Sequence, residues 1–219
     1  MSTDDIADLE RYLDATRAGL LYARRVLLVE GPAELFLLPA LVQQILGVDL
    51  DELGISVIPI FGVHFDVYAK LFGPNAMHKR CAIVADGDLK PSDATVPTDG
   101  SELPTFHRPD LDALKNPFLN VFLCKTTFER AIALPANLGM FAETCRELGA
   151  TKTERKLTAL QKELAHTIDK KKDSEARDLV LAAAKSAGKA RFAQVATRHI
   201  SLASQVPPYI KNAIDWLKS

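Results

Sequence analysis

Cysteines and long apolar runs are both scarce in this chain of 219 residues. The three cysteines, Cys81, Cys124 and Cys145, are odd in number and form no Cys-x-x-Cys pair. This pattern disfavours a disulfide framework or a zinc site and favours reduced thiols. No apolar run approaches the ~20 residues that a membrane span needs, and the acidic N-terminus lacks a cationic and then apolar secretory leader. These absences predict a cytoplasmic protein without a membrane anchor.

The hydrophobic content of 47% is enough for one substantial core and a smaller appended unit. The net charge of −1 conceals an asymmetry, because residues 151–219 carry 14 Lys or Arg and 7 Asp or Glu, whereas residues 1–150 carry 13 and 21. An acidic half joined to a basic half is typical of a metal centre beside a surface that binds a polyanion. A solvated helical tail is the alternative interpretation of the basic half.

Two acidic motifs follow strand-like apolar runs. Glu30 and Glu34 come after Val26–Val29, and Asp86 and Asp88 come after Cys81–Ala85. In a parallel sheet both runs would end at the same carboxyl edge, where open α/β sheets bind their ligands. Carboxylates gathered there repel one another and need a compensating cation. Because all the ligands are oxygens, the motifs predict a site for Mg²⁺ or Mn²⁺.

The alternation of strand and helix patterns predicts a small, mainly parallel four-strand sheet flanked by helices, followed by a helical unit. The predicted strands are Arg25–Val29, Ile55–Ile60, Cys81–Ala85 and Leu119–Leu123. The predicted helices are residues 4–23, residues 32–46, His64–Phe72, Glu129–Ala133, Leu138–Leu148, Glu154–Thr167, Asp173–Ser186, Lys189–Ser204 and Pro208–Leu217. The proline-rich residues 89–117 predict a long loop or insertion. Lys170–Lys172 is predicted to be a solvated turn, or alternatively a contact to DNA phosphates.

This ordered series of motifs resembles the Toprim domain, a catalytic module of topoisomerases, bacterial-type primases and some nucleases. It is more similar still to the C-terminal nuclease region of the OLD (overcoming lysogenization defect) family of ATP-dependent endonucleases. The similar segments are Leu28–Leu38, Leu53–Pro59, Gly62–Phe65, Ile83–Asp88, Thr127–Glu129 and Lys189–Ala193. The resemblance implies a linker helix over residues 1–23, a Toprim catalytic domain over 24–130 with its loop at 89–117, and a helical domain over 131–219 that contributes Lys189.

The resemblance implies a metal-dependent DNA endonuclease that hydrolyses phosphodiester bonds with two divalent ions. One ion would be held by Glu30, Asp86 and Asp88, and the other by Glu34 and Glu129 with an oxygen of Thr127. Lys189 would stabilise the charge that develops in the transition state.

Each of the less certain ligands has an ordinary structural role as its alternative. Glu34 and Glu129 would suit the first turn of a helix, where a carboxylate complements the dipole. Asp88 would suit a turn after Gly87, and Lys189 would suit a solvent-exposed surface. Glu30 and Asp86 have the weakest alternative, because acids directly after buried strands are costly without partners.

Two other functional classes remain open. The first is a Toprim-like module that binds nucleic acid or a partner without catalysis, against which the complete set of acids argues. The second is a metal-dependent phosphatase. The haloacid-dehalogenase type of phosphatase carries its Asp-x-Asp on the first strand, whereas this motif ends the third predicted strand.

Members of the OLD family usually carry an ATPase domain ahead of this region. Here Ser186–Ala190 superficially resembles a phosphate-binding loop, but Ala183 and Ala190 replace the glycine and the hydroxyl residue that such a loop requires. We therefore expect a fragment of a larger protein that does not bind ATP by itself. Its expected partners are DNA and the missing ATPase domain, through which it would also form oligomers.

Overall fold

A parallel four-strand sheet forms the centre of the first half of the chain. The computed structural model describes residues 6, 19–62, 65–88, 108–167 and 169–219. Its strands are β1 (Arg25–Val29), β2 (Ile55–Pro59), β3 (Arg80–Ala85) and β4 (Leu119–Leu123), in the order β2-β1-β3-β4 with all neighbours parallel. The predicted α/β fold and the predicted sheet are confirmed. Most of the predicted linker helix and of the loop at 89–117 lies outside the described residues.

Helices flank the sheet and make up the second half of the chain. Those among the strands are α1 (Gly19–Tyr22), α2 (Pro32–Leu46), α3 (Phe65–Ala69) and α4 (Pro109–Asp112). Those that follow are α5 (Phe128–Ile132), α6 (Leu138–Glu147), α7 (Thr151–Leu164), α8 (Lys170–Ala187), α9 (Lys189–Ala196) and α10 (Pro208–Lys218), with short 3-10 turns at Pro135–Asn137 and Thr197–His199. Within the described ranges, no helix has both the length and the apolar character that crossing a bilayer requires.

The sheet is covered on both faces, which explains why its strands are apolar throughout instead of alternating. Leu27 and Val29 point into a core shared with α2 and the C-terminal helices. Val26 and Leu28, the alternate residues of β1, point into a second core with α1 and α3. The strand-end acids therefore have apolar layers on either side.

The strand order reverses between β1 and β3. The chain leaves β1 through α2 to reach β2 on one side, whereas β3 leads to β4 on the other side. Val29 pairs with Val84, so both strands end at the same level of the sheet. Open α/β sheets bind ligands in the crevice at such a reversal, and Glu30 and Asp86 follow the two strands that border it.

Several helix boundaries differ by a few residues from those that the sequence pattern predicts, and two of the differences have a clear physical cause. Lys170–Lys172 forms the first turn of α8 and not a turn between helices, because Asp169 Oδ1 caps this end by accepting hydrogen bonds from the N–H groups of Lys171 and Lys172 at 3.0 and 3.1 Å. The helix that begins at Lys189 ends at Ala196 and not at Ser204. The following segment is held to α6 instead, since the Asn137 side chain bonds both backbone groups of Gln205 at 2.7 and 2.9 Å.

Helix α9 packs along α2, and this packing brings the first residue of α9, Lys189, to the sheet edge. Gly188, with φ of 85°, makes the break between α8 and α9 in a conformation that favours glycine. Phe192 and Ala193 are buried on the face that docks this helix, and the Phe192 ring stacks on Phe141 with centroids 5.7 Å apart. Truncation of Phe192 to Ala would remove roughly 3–5 kcal/mol of stability.

Candidate active site

Glu30 and Asp86 meet where β1 and β3 end. The backbone N–H of Asp86 donates a hydrogen bond of 2.7 Å to Glu30 Oε1, which holds that carboxylate against the neighbouring strand end. Burial raises the pKa of Glu30 above its ordinary value, although the hydrogen bond from Asp86 N–H lowers it in part. The two acids that sequence reasoning placed at one sheet edge are therefore in contact there.

Glu34 and Asp86 are buried carboxyl groups whose pKa values are strongly raised. Burial, together with the nearby carboxylates of Glu30, Glu34 and Glu129, raises the pKa of Asp86 to about 8. Burial also raises the pKa of Glu34 to about 7, with contributions from Glu129 and Glu30. These four side chains form one electrostatically coupled group, which we call the acid cluster (Glu30, Glu34, Asp86 and Glu129). Such a group retains protons at neutral pH or binds a cation.

Glu129 links the acid cluster to Lys189. It is 5% exposed in the first turn of α5, and its Oε1 lies 3.0 Å from Lys189 Nζ. Burial of Lys189 opposes its charge, but the hydrogen bond to Glu129 and the charges of Asp86 and Glu34 together raise its pKa. Glu129 Oε2 is buried and has no hydrogen-bond partner within the described part of the chain. The structure therefore brings Lys189 to Glu129 from 60 residues further along the sequence.

Thr127 occupies the N-cap position of α5, but its hydroxyl does not cap the helix. Its carbonyl oxygen accepts the N–H of Ala131 at 2.9 Å and so belongs to the helix. The hydroxyl oxygen is buried without a hydrogen-bond partner among the described residues. Of the two Thr127 oxygens considered as ligands, the hydroxyl is thus the one left for another group.

Asp88 lies at the rim of a cleft that Glu30 also lines, and its charge contributes to the raised pKa of Glu30. Its side chain is 71% exposed and lies 3.5 Å from Arg108 Nη1, and its φ of 55° turns the chain sharply after the strand. Arg108 also donates a hydrogen bond of 3.2 Å to the Asp86 carbonyl oxygen. The cleft has a volume of about 650 Å³ and is lined by Glu30, Asp88 and Arg108 among others.

Three residues that hold the Asp86 loop were not singled out by sequence reasoning. Cys124 Sγ donates to Asp86 Oδ1 at 3.5 Å, and the Thr126 carbonyl oxygen accepts from the N–H groups of Gly87 and Asp88 at 3.0 and 3.1 Å. Both residues follow β4, the neighbour of β3 in the sheet, so their position just after a buried strand could have identified them from the sequence. Arg108, by contrast, follows a proline-rich stretch without any periodic pattern.

The donor types and the charge of this site fit a hard divalent cation. The buried, unpartnered oxygens of Glu129 and Thr127 support the same interpretation, because buried polar atoms ordinarily have partners. However, among the described residues no three His, Cys, Asp or Glu side chains are close enough together to hold a metal ion. A cation would therefore have to draw the carboxylates together, and it would relieve their mutual repulsion in doing so.

Residues 21–88 match the family model of the OLD-like Toprim domain, described as the Toprim domain of overcoming lysogenization defect protein-like proteins. The matched segment runs from α1 to the end of β3 and includes Glu30, Glu34, Asp86 and Asp88. The sheet and this match define a Toprim domain. Such domains have functions related to nucleic acids and generally bind divalent metal ions.

Two solved structures extend the similarity over most of the chain. The C-terminal region of the Burkholderia pseudomallei OLD protein is 24% identical, covering 90% of this chain and 97% of that one, with a TM-score of 0.65. The C-terminal region of the Xanthomonas campestris pv. campestris OLD protein is 26% identical, covering 91% and 94%, with a TM-score of 0.61. No curated protein matches the chain in sequence. The chain therefore carries an OLD-like Toprim domain over residues 21–88 and is similar over most of its length to the C-terminal region of OLD proteins.

Proposed function

We propose that this chain is the catalytic region of an ATP-dependent OLD-family nuclease and cleaves DNA as a metal-dependent endonuclease. The observation that carries the proposal is the acid cluster, in which the half-buried Glu30 lies with three buried carboxyl groups, Glu34, Asp86 and Glu129, in one corner of the Toprim domain. Within the described part of the chain, the one ion pair to this cluster comes from Lys189. Negative charge of this density, at the edge where the strand order reverses, favours divalent cations over a structural role.

The proposed chemistry is hydrolysis of a phosphodiester bond. Two bound Mg²⁺ or Mn²⁺ ions would supply an activated water and neutralise the phosphate and leaving oxygens. The residues that would hold them are Glu30, Asp86 and Asp88 for one ion, and Glu34, Glu129 and the Thr127 hydroxyl for the other. Asp86 is the residue whose carboxylate is coupled to all the other members of the cluster, so we assign it the central position.

Lys189 is proposed to act on the substrate phosphate. Its side chain is half exposed, and its Nζ lies 3.0 Å from Glu129 Oε1. Lys189 is the first residue of a helix that is anchored by the buried Phe192. A cation held in this way needs little reorganisation to meet the extra negative charge of a transition state. Its contribution would therefore fall on the rate of cleavage and not on the affinity for DNA.

The partners proposed for the chain are DNA and the ATPase region that the family carries, with the cytoplasm as the place of action. The segment Ser186–Ala190 supports an ATP site elsewhere, because it joins two helices, whereas a phosphate-binding loop joins a strand to a helix. The excess of basic residues beyond residue 150 supports a polyanion as the substrate.

The test is incubation of supercoiled plasmid with the purified chain, without ATP, in Mg²⁺, Mn²⁺, Ca²⁺ or EDTA. We expect nicked and then linear plasmid with Mg²⁺ or Mn²⁺ and no cleavage in EDTA. Cleavage that continues unchanged in EDTA would contradict the proposal. Hydrolysis of p-nitrophenyl phosphate without plasmid cleavage would favour the phosphatase alternative, and DNA binding without either reaction would favour the non-catalytic module.

A further inference from the structure

A second cavity shares a wall with the acid cluster. It has a volume of about 550 Å³ and lies between the end of β4, α5 and the first turns of α8 and α10. The shared wall is Cys124–Thr126, the segment whose other side holds Asp86 and the residues after it. We call this space the basic cavity after the four cationic residues that line it, Lys125, Arg130, Lys170 and Arg177.

Positive charge outweighs negative charge in the basic cavity. Its two lining carboxylates are already engaged, since Asp173 Oδ2 accepts from Arg177 Nε at 2.7 Å and Asp169 caps the N-terminus of α8. Lys125 has no hydrogen bond or ion pair with any described residue. The cavity therefore has cationic charge available for an anion from outside.

Two buried polar groups on the cavity lining have no partner among the described residues. Arg130 is 5% exposed, pairs with Asp178 and donates to Ser174 Oγ at 3.4 Å, but its Nε lacks an acceptor. The Tyr209 hydroxyl also lacks a partner. Buried donors without acceptors are uncommon in folded proteins, so these two atoms indicate that a ligand with acceptor oxygens completes the site.

The remaining lining is apolar, with Leu134, Leu164 and Pro207 as examples. The volume falls within the ~300–1,000 Å³ that small-molecule sites occupy. An anion alone would leave this apolar surface uncovered, whereas a flat ring attached to a phosphate would cover it. Guanidinium groups suit phosphate oxygens in particular, because they offer several donors in a planar fork.

We propose that the basic cavity binds one nucleoside phosphate, with its phosphate on Lys125, Arg130 and Arg177 and its base against the apolar lining and the Tyr209 ring. This chemistry is shared by a free nucleotide and by the 5′-phosphorylated end of a DNA strand. The proposal does not depend on nuclease activity, because binding is measured in EDTA, where the proposed cleavage cannot occur. Failure of one proposal is therefore distinguishable from failure of the other.

The test is a calorimetric titration of the full chain in EDTA with dAMP, adenosine and inorganic phosphate as separate probes. We expect dAMP to bind at least about tenfold more tightly than either of the others, because only dAMP uses both parts of the cavity. Lys125→Ala should weaken dAMP binding by about tenfold. The matched control is Lys185→Ala, which removes an exposed lysine of α8 outside the cavity and should leave binding within about twofold.

A second variant keeps the test decisive if Lys125→Ala is poorly folded. Ala131→Phe places a ring into the cavity from its half-exposed rim and should also reduce dAMP binding, with thermal melting as the check on folding. Binding of dAMP that equals binding of adenosine, or that survives in a folded Lys125→Ala or Ala131→Phe chain, would overturn the proposal.

Competition then separates the two sources of the ligand. An eight-nucleotide DNA strand with a 5′-phosphate that displaces dAMP, while the same strand with a 5′-hydroxyl does not, would assign the cavity to a strand end. Displacement by free nucleotides but by neither strand would assign it to a free nucleotide.

Discussion

The acid cluster and the basic cavity lie on opposite sides of Cys124–Thr126 and differ in how the protein treats buried charge. In the basic cavity, Arg130 and Arg177 each contact a carboxylate of their own, Asp178 and Asp173. In the acid cluster, four carboxylates have Lys189, which contacts Glu129, as their ion-pair partner in the described part of the chain. Protein groups thus balance most of the cavity charge, whereas the cluster needs protons or cations from solvent.

This difference predicts which of the two sites responds to divalent metal ions and to pH. Protons must leave Glu34 and Asp86 before divalent ions can bind them, so metal binding and deprotonation are coupled. Arginines remain charged over the whole accessible range of pH. We therefore expect the protonation and metal binding of the acid cluster to change under conditions that leave the arginine charges of the basic cavity unchanged.

The largest effect should come from removal of the central carboxylate. Asp86→Asn keeps the shape of the side chain but removes its charge, so DNA cleavage should fall by at least about 10²–10³-fold. The same variant should raise the melting temperature of the metal-free chain, because it relieves like-charge repulsion. Asp51→Asn, which alters an exposed carboxylate in the turn ahead of β2, is the control and should change neither value. Wild-type cleavage by Asp86→Asn would place the reaction elsewhere.

The second effect concerns the proposed second ion. Glu34→Gln and Glu129→Gln should each lower cleavage by roughly 10–100-fold and reduce the number of bound Mn²⁺ ions from about two to one. Metal counts by calorimetry and plasmid cleavage on the same samples provide the check, with exposed Glu175→Gln as the control. Two ions counted in both variants would contradict the assignment of these glutamates.

A smaller effect is expected at Lys189. Lys189→Gln should slow cleavage by about 10–100-fold, while DNA affinity and metal count stay within about twofold, because the proposed interaction strengthens in the transition state. Single-turnover cleavage and fluorescence anisotropy separate the two quantities, and Lys185→Gln is the matched control. A parallel loss of DNA affinity and rate would make Lys189 a simple phosphate contact.

The smallest effect is on stability as a function of pH. In the folded chain the pKa values of Glu34 and Asp86 are about 7 and about 8, above their ordinary values of 4.5 and 3.8. Between about pH 4 and pH 8 the folded chain therefore binds more protons than the unfolded chain, so the free energy of unfolding should fall as the pH rises. Circular dichroism in EDTA should show a melting temperature lower by several degrees at pH 8 than at pH 5. Asp86→Asn should flatten this slope, and a wild-type melting temperature that rises across the range would contradict the pKa shifts.

The sheet and the acids at its edge were predictable because both depend on short local patterns. The apolar run of β3 stops abruptly at Asp86, and the run of β1 stops at Glu30, so strand bounds and site coincide. The sequence pattern does not predict that these two acids meet where the strand order reverses, because helix and strand patterns alone do not state on which side of β1 the later strands lie.

The features that could not be predicted depend on contacts between distant residues. The pattern after Ala196 continues to look helical, whereas the chain passes through a 3-10 turn at Thr197–His199 and is held by the bonds of Asn137 to Gln205, 68 residues away. The same holds for Cys124 and Arg108, which reach Asp86 from other segments. The metal ligands, the domain boundaries and the role of Lys189 remain predictions.

The central claim is that the acid cluster is a cation site, and titration of Mn²⁺ into metal-free protein at pH 8 tests it most directly. Calorimetry should detect two ions bound to the wild-type chain, with release of protons that measurements in buffers of different ionisation enthalpy would reveal. Asp86→Asn should lose tight binding of the ion assigned to Glu30, Asp86 and Asp88. Equal Mn²⁺ binding by wild type and Asp86→Asn, or wild-type binding without proton release, would contradict the account.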